Sequence, residues 1–317
     1  MKGTRSSIEQ FSVVTTSSAA AGAGTMNGTV DLIPCGRTNT TLCPENYVEI
    51  PAANLTISGT LRTGRLGKVS YGTLYNRPVV VKQLLMSNDE YLSDMKLFSQ
   101  LEHLNLARIE GFVTVKYPNL IAMERLHSDL STFIQSGNGI DNLAILRDLT
   151  SGLGFLHAQR FILRHIDLEH VMVSEGTLQP VFKIRLSSKF EHEPIVDEMA
   201  DNRYNNFISI RQIGPECFGT GRFNQESDIW SFGIFMWTLC TGNNEEPYWG
   251  LTIRQVVDAV TSGWRLPTPA GNELNEKLHR IMLQCWDQNA EARPNAKELR
   301  YKIEQIIQSP PSPGIAV

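Results

Sequence analysis

The stretch Phe161-Ile-Leu-Arg-His-Ile-Asp-Leu-Glu-His170 decides the reading of this 317-residue chain. Before it, Leu143, Leu146, Leu149, Leu153 and Leu156 recur three and four residues apart, the spacing that lines one face of an α-helix. After it, Val171-Met-Val173 is a short apolar run of strand-forming residues. The stretch is therefore a loop between a buried helix and a strand. It carries Arg164, His165, Asp167 and His170 in close succession.

Outward from this loop, further motifs follow in a fixed order. Ile57 to Leu74 has the form of a hairpin with glycines at Gly64 and Gly67, and Val79-Val-Val-Lys82 is a strand ending in a lysine. Tyr91-Leu-Ser-Asp94-Met-Lys-Leu-Phe98 is helical, with Lys96 expected on its exposed face, and His103 and Asn105 sit in the turn behind it. Gly214-Pro215-Glu216, Ser227-Asp228-Ile-Trp230-Ser-Phe-Gly233, Trp264-Arg-Leu-Pro267, Cys285-Trp286 and Arg293-Pro294 complete the series. A lone glycine-rich hairpin would be a weak signal, but motifs in this order and number are specific. Over about Asn54 to Gln308 the chain resembles the protein kinases, and its last motifs resemble their tyrosine-kinase branch. The resemblance implies an α+β, two-lobed fold. A small, mainly antiparallel β lobe with one helix would cover about 54–124, and a mostly helical lobe about 125–308.

The same resemblance assigns roles residue by residue. Gly64, Gly67 and Val69 match the second and third glycines and the valine of the phosphate-covering G-x-G-x-x-G-x-V loop, while Arg62 takes the place of the first glycine. Arg62 would pair with a phosphate or fold into the cleft towards Asp94. Lys82 would meet the phosphates, or serve only as structural partner of Asp94, which stands where the family has Glu. Met123 falls at the back of the nucleotide cleft, where core filling is the plainer role. In the signature H-R-D-L-x-x-x-N, the Asp accepts the substrate hydroxyl's proton and the Asn holds a magnesium ion. Here Leu163, Arg164 and His165 take the first three places and His170 the last, and Leu186-Ser187-Ser188 stands at the metal-binding D-F-G. Magnesium takes oxygen ligands, so neither imidazole nor Leu186 replaces what is missing.

His165, His170 and Leu186 are accordingly degenerate positions. No cofactor is expected, beyond weak magnesium-independent ATP binding through Lys82 and Arg62. No metal site is expected either: the two histidines come without a third ligand in sequence and read as loop packing. Asp167 lies two places past the base position, and a structural carboxylate is favoured over a shifted catalytic one. The residues that hold the family's fold are present. Glu216 and Arg293 would form a buried ion pair, Asp228 would accept backbone N–H groups of the loop, and Arg164 would meet a phosphorylated residue such as Tyr204. Tyr204 also has the plainer reading of a solvated loop tyrosine.

Bulk properties fit this reading. Hydrophobic residues make up 41%, enough for a sizeable core, and a net charge of −4 argues against a phosphate-backbone partner, so no nucleic acid is expected. Cys35, Cys43, Cys217, Cys240 and Cys285 are scattered and read as reduced thiols, Cys240 and Cys285 in the core. The longest apolar run, Ile229 to Cys240, is too short to span a bilayer, which needs ~20 residues. Residues 1–53 read as a low-complexity arm, juxtamembrane-like or a plain linker. Residues 309–317 are a Pro-rich tail, inert or a short peptide ligand.

The expected function is a catalytically inactive, tyrosine-kinase-like scaffold or allosteric partner. Its partner would be an active kinase or a signalling adaptor, met in a homo- or hetero-dimer. It would lie in the cytoplasm at the inner face of the plasma membrane, as part of a receptor or co-receptor that reaches the membrane only through a segment outside this chain. Two alternatives are an unconventional kinase with metal-independent transfer and the kinase-homology module of a guanylyl cyclase. The latter is disfavoured because only a short tail follows Gln308.

Overall fold

The computed structural model describes residues 42–64, 67–85, 89–137, 139, 141–174, 180–186, 210–218, 223–242, 246–271 and 273–309. All lie within one unit, Cys35–Val317. Tyr204, Ser187, Ser188 and the tail beyond 309 fall outside the described residues.

The first lobe is a five-stranded antiparallel sheet of order β1-β2-β3-β5-β4. Its strands are β1 (Leu55–Gly64), β2 (Gly67–Leu74), β3 (Arg77–Leu84), β4 (Ile109–Val113) and β5 (Leu120–Glu124). Tyr75 and Asn76 both have positive φ, 48° and 64°, as the two central residues of a tight hairpin turn require. Gly67 pairs with Leu84, and a Cβ placed on it would lie 2.1 Å from the Gln83 carbonyl oxygen. The sheet itself demands that glycine. One helix, α1 (Asp89–Phe98), lays Tyr91, Leu92 and Met95 on a cluster with Leu84, Phe112 and Ile121.

The segment before β1 belongs to this lobe. The Ile50 N–H donates to the Phe112 carbonyl at 2.6 Å and the Phe112 N–H to the Val48 carbonyl at 2.8 Å, so the segment adds a parallel bridge at Glu49 to the edge of β4. Gly111 (φ 153°) makes room: a Cβ there would meet the Val48 carbonyl oxygen at 2.7 Å. Tyr47 packs edge-on to Phe112, with centroids 5.5 Å apart, and lies under the Lys96 ammonium at 3.7 Å. The Gln100 side chain donates to the Cys43 carbonyl at 2.7 Å and accepts from the Cys43 N–H at 3.2 Å. Two expectations change accordingly. Within the stretch drawn as an arm, Val48 to Ile50 join the edge of β4, Tyr47 packs on Phe112, and Cys43 is tied to Gln100. Lys96 is half-buried against Tyr47 instead of exposed. A composition scan misses this because the strap's specificity lies in a few side chains that meet a distant strand.

The second lobe begins with a three-stranded sheet, β6 (Ser128–Asp129), β7 (Val171–Ser174) and β8 (Val181–Ile184), in the order β6-β7-β8. Helices α2 (Leu130–Gln135), α3 (Asn142–Ala158), α4 (Gln225–Cys240), α5 (Ile253–Thr261), α6 (Glu273–Cys285) and α7 (Ala296–Gln308) surround one large core. The leucine stripe of α3 is buried at Leu146, Leu149, Leu153 and Leu156. Helix α4 is buried almost all round, including Trp230, Phe232, Ile234 and Phe235, which explains its continuous apolar sequence. No described helix is long and apolar enough to cross a membrane. The small β lobe and the helical lobe match the two-lobed fold expected.

Candidate functional site

The loop after α3 is shaped before any chemistry is placed on it. Arg160 closes the helix at φ 61°, and Arg164 again takes a left-handed φ of 69°. Such a conformation costs a side-chain-bearing residue about 1–2 kcal/mol. The buried carboxylate of Asp228, on α4, offsets that cost. It accepts from the Leu163 N–H at 2.7 Å and the Arg164 N–H at 2.6 Å, and bonds His157 Nε2 at 2.9 Å. The His157 carbonyl in turn accepts from the Gln225 side chain. The Arg164 guanidinium lies 5.8 Å from the Phe223 ring.

Past this anchor, the side chains of the loop converge on Asp167. His165 Nε2 bonds Asp167 Oδ2 at 2.8 Å, and His170 Nδ1 bonds Oδ1 at 2.7 Å. Oδ1 also accepts the Glu169 and His170 N–H groups, both at 2.8 Å. Burial alone would raise the Asp167 pKa, but the hydrogen bonds and positive charge of the two histidines hold it well below the ordinary carboxylate range. The His170 carbonyl accepts the Arg185 N–H at 2.8 Å, which ties the loop to the strand that ends at Leu186. Leu186 is half-buried against the large core.

Across the cleft, Arg62 pairs with Val69 and Val69 with Lys82. Arg62 and Gly64 are exposed. Lys82 is buried, and its ammonium donates to the Tyr91 hydroxyl at 2.8 Å and lies 4.7 Å from that ring's centroid. Asp94 is buried one helical turn beyond Tyr91. Met123 packs into the cluster between α1 and the sheet. At the junction of the lobes, Lys183 Nζ meets Glu124 Oε1 at 2.6 Å, and Glu124 Oε2 accepts the Arg108 N–H at 3.1 Å.

Farther down, Arg293 and Glu216 form a two-pronged pair at 2.7 and 2.8 Å. The Arg293 side chain is 0% exposed. It also donates to the Glu226 and Asp287 carbonyls and lies 5.0 Å over Trp230.

Sequence reasoning placed the loop, the lysine strand and the pair partners on the right elements. It missed the Tyr91 contact to Lys82, the Glu124–Lys183 bridge, and Asp167 as the acceptor between two histidines. The His165-x-Asp167-x-x-His170 spacing carried the last signal, but a loop has no fixed period from which convergence can be read.

Residues 55–303 match the model of the family described as protein tyrosine and serine/threonine kinase. The chain is 29% identical to human ephrin type-A receptor 5 over 279 residues, covering 83% of this chain and 26% of the receptor. It is 30% identical to ephrin type-A receptor 3 of Danio rerio, with 83% and 28% covered, and 28% identical to human ephrin type-B receptor 4, again with 83% and 28%. The chain thus spans about a quarter of the length of the curated relatives it matches.

Proposed function

We propose, from the premise that this chain belongs to the protein tyrosine and serine/threonine kinase family, that it is a tyrosine-kinase-like pseudokinase. It would be the intracellular part of a receptor or co-receptor, acting as scaffold or allosteric partner of an active kinase or adaptor. The receptor assignment draws on the names of its relatives. The inactive assignment draws on the loop.

The observation that carries it is the state of Asp167. It is the loop carboxylate nearest the base position, and two imidazoles and two backbone N–H groups already occupy it. A carboxylate held well below its usual pKa is a poor proton acceptor. His165, at the base position itself, turns Nε2 to Asp167, and its Nδ1 is sealed from solvent. Leu186 brings no oxygen to the place where a metal-binding Asp is expected. The cleft keeps Lys82, held by Tyr91, so ATP would bind weakly and without a magnesium requirement.

The test is phosphate transfer. Purified protein with magnesium–ATP should incorporate no more labelled phosphate, into itself or into tyrosine peptides, than Lys82→Ala does. Incorporation that is robust in the parent and abolished in Lys82→Ala would establish the alternative, an unconventional kinase.

A further inference from the structure

The three polar side chains of the loop form a group that phosphate transfer does not use. One ring nitrogen each of His165 and His170 and an Asp167 carboxylate oxygen all lie within 4.8 Å of one another. Two imidazoles and one carboxylate are the donor set of an open transition-metal site, with three protein ligands and one position left over. We propose that His165, Asp167 and His170 bind a divalent transition-metal ion, Zn2+ foremost, in the loop where the rest of the family holds its proton acceptor and a magnesium ligand.

The dimensions support a bound ion. Around a tetrahedral zinc with ligands at about 2.0–2.1 Å, neighbouring donor atoms stand roughly 3.3 Å apart. The two nitrogens now sit 2.8 and 2.7 Å from the carboxylate oxygens, each across a shared proton. Replacing those protons by a cation on Oδ2 would turn His170 Nδ1 from Oδ1, which it now faces, towards the neighbouring oxygen of the same carboxylate. Such an exchange is how zinc sites form from protonated ligands, with release of the protons.

The surrounding hydrogen bonds select the ligand atoms. Asp167 Oδ1 is anchored by two backbone N–H groups, which leaves Oδ2 to the ion and keeps the carboxylate oriented from behind. The backbone on either side is fixed, by Asp228 at Leu163 and Arg164 and by the Arg185 N–H at the His170 carbonyl. The ligands are therefore positioned before metal arrives. The histidines are buried, whereas the Asp167 side chain is 29% exposed, so the carboxylate is the side of the group that solvent reaches. Magnesium does not suit the site, because two of its three donors are nitrogen.

This inference rests on ligand geometry alone, and holds whether or not the chain transfers phosphate. It is tested without ATP. Metal-free protein is titrated with Zn2+ against a chromogenic chelator in the presence of excess Mg2+, and with Co2+ while the visible d–d bands are recorded. One equivalent should bind, the cobalt bands should report a four-coordinate site with nitrogen ligands, and Zn2+ should raise the melting temperature reversibly.

His165→Gln and His170→Asn, each checked for fold by circular dichroism, should weaken Zn2+ binding by more than about 100-fold, since even outer partners of zinc ligands are worth about 10–100-fold. If either variant does not fold, the parent titration decides: failure to retain one equivalent of Zn2+ overturns the proposal. Undiminished binding in the folded double variant also overturns it, by placing the ion elsewhere.

Discussion

At the scale of single residues, the fold is held by polar atoms whose partners lie far along the chain. Arg293 is the clearest case, because its side chain is wholly buried and its charge is met by Glu216. Removing one partner of a buried pair typically costs about 3–5 kcal/mol, since the remaining charge is left in a poor solvent. Glu216→Ala should lower stability by that amount in urea unfolding, and Glu216→Gln by less because it keeps one acceptor. The cysteines give a second check. Burial pushes the thiols of Cys217, Cys240 and Cys285 up to about 12. In native protein near pH 8 they should not react with a disulfide reagent, and they should become titratable only on unfolding. Their folded pKa lies above the unfolded value of about 8.5. The stability they contribute is therefore full below that pH and falls as pH rises towards 12.

At the scale of elements, the strap before β1 and the loop after α3 show how a short segment acquires a fixed shape. Ile50 is buried beneath the sheet, Tyr47 fills the angle between β4 and α1, and Glu49 accepts the Thr114 N–H and hydroxyl at 2.7 and 2.8 Å. A chain begun at residue 54 should be clearly less stable than one begun at residue 42. Ile50→Ala in the full chain should cost about 2–4 kcal/mol, the range for emptying a buried aliphatic site. Equal melting temperatures for the two lengths would show that the strap is not integral to the lobe. Lys96 belongs to the same contact. Lys96→Glu loses the Tyr47 interaction, so any change in partner binding must be read beside a Tyr47→Ala control.

For the whole molecule, the two lobes are joined by the Glu124–Lys183 pair and by the Asn105–Ala107 turn. There the Ile184 N–H donates to the Asn105 carbonyl at 2.8 Å and the Ala107 N–H to the Ile184 carbonyl at 2.9 Å. The Asn105 side chain adds a bond to the Phe182 carbonyl at 3.0 Å, so these described contacts between the lobes are made by protein groups. ATP near its dissociation constant adds RT ln 2, about 0.4 kcal/mol, or a melting shift of about 1–2 °C. The shift should be that small, and the same with and without magnesium. A shift of many degrees that requires magnesium would mean that oxygen ligands stand where Leu186 was placed. Association with an active partner kinase should survive Lys82→Ala, because the proposed docking does not pass through the nucleotide.

The sequence by itself determined the order of the motifs, the helix and strand that flank the central loop, the glycine hairpin, the lysine strand and the helix over 91–98, and resemblance supplied the two lobes. Hydrophobic periodicity encodes which face of an element is buried, as the leucines of α3 show, and the apolar run Ile229–Cys240 encodes a helix buried on nearly every side. Resemblance then pointed to Asp228, Glu216 and Arg293, whose contacts span 64 to 77 residues. What only the tertiary structure decided is which polar atoms meet. Tyr91 bonds Lys82, Val48 to Ile50 lie along β4, and Asp167 gathers two histidines from its own loop. The tendency to leave water is a property that each apolar side chain carries by itself. A hydrogen bond depends on the distance and angle between two groups, and those are fixed only when the backbone around both has been folded.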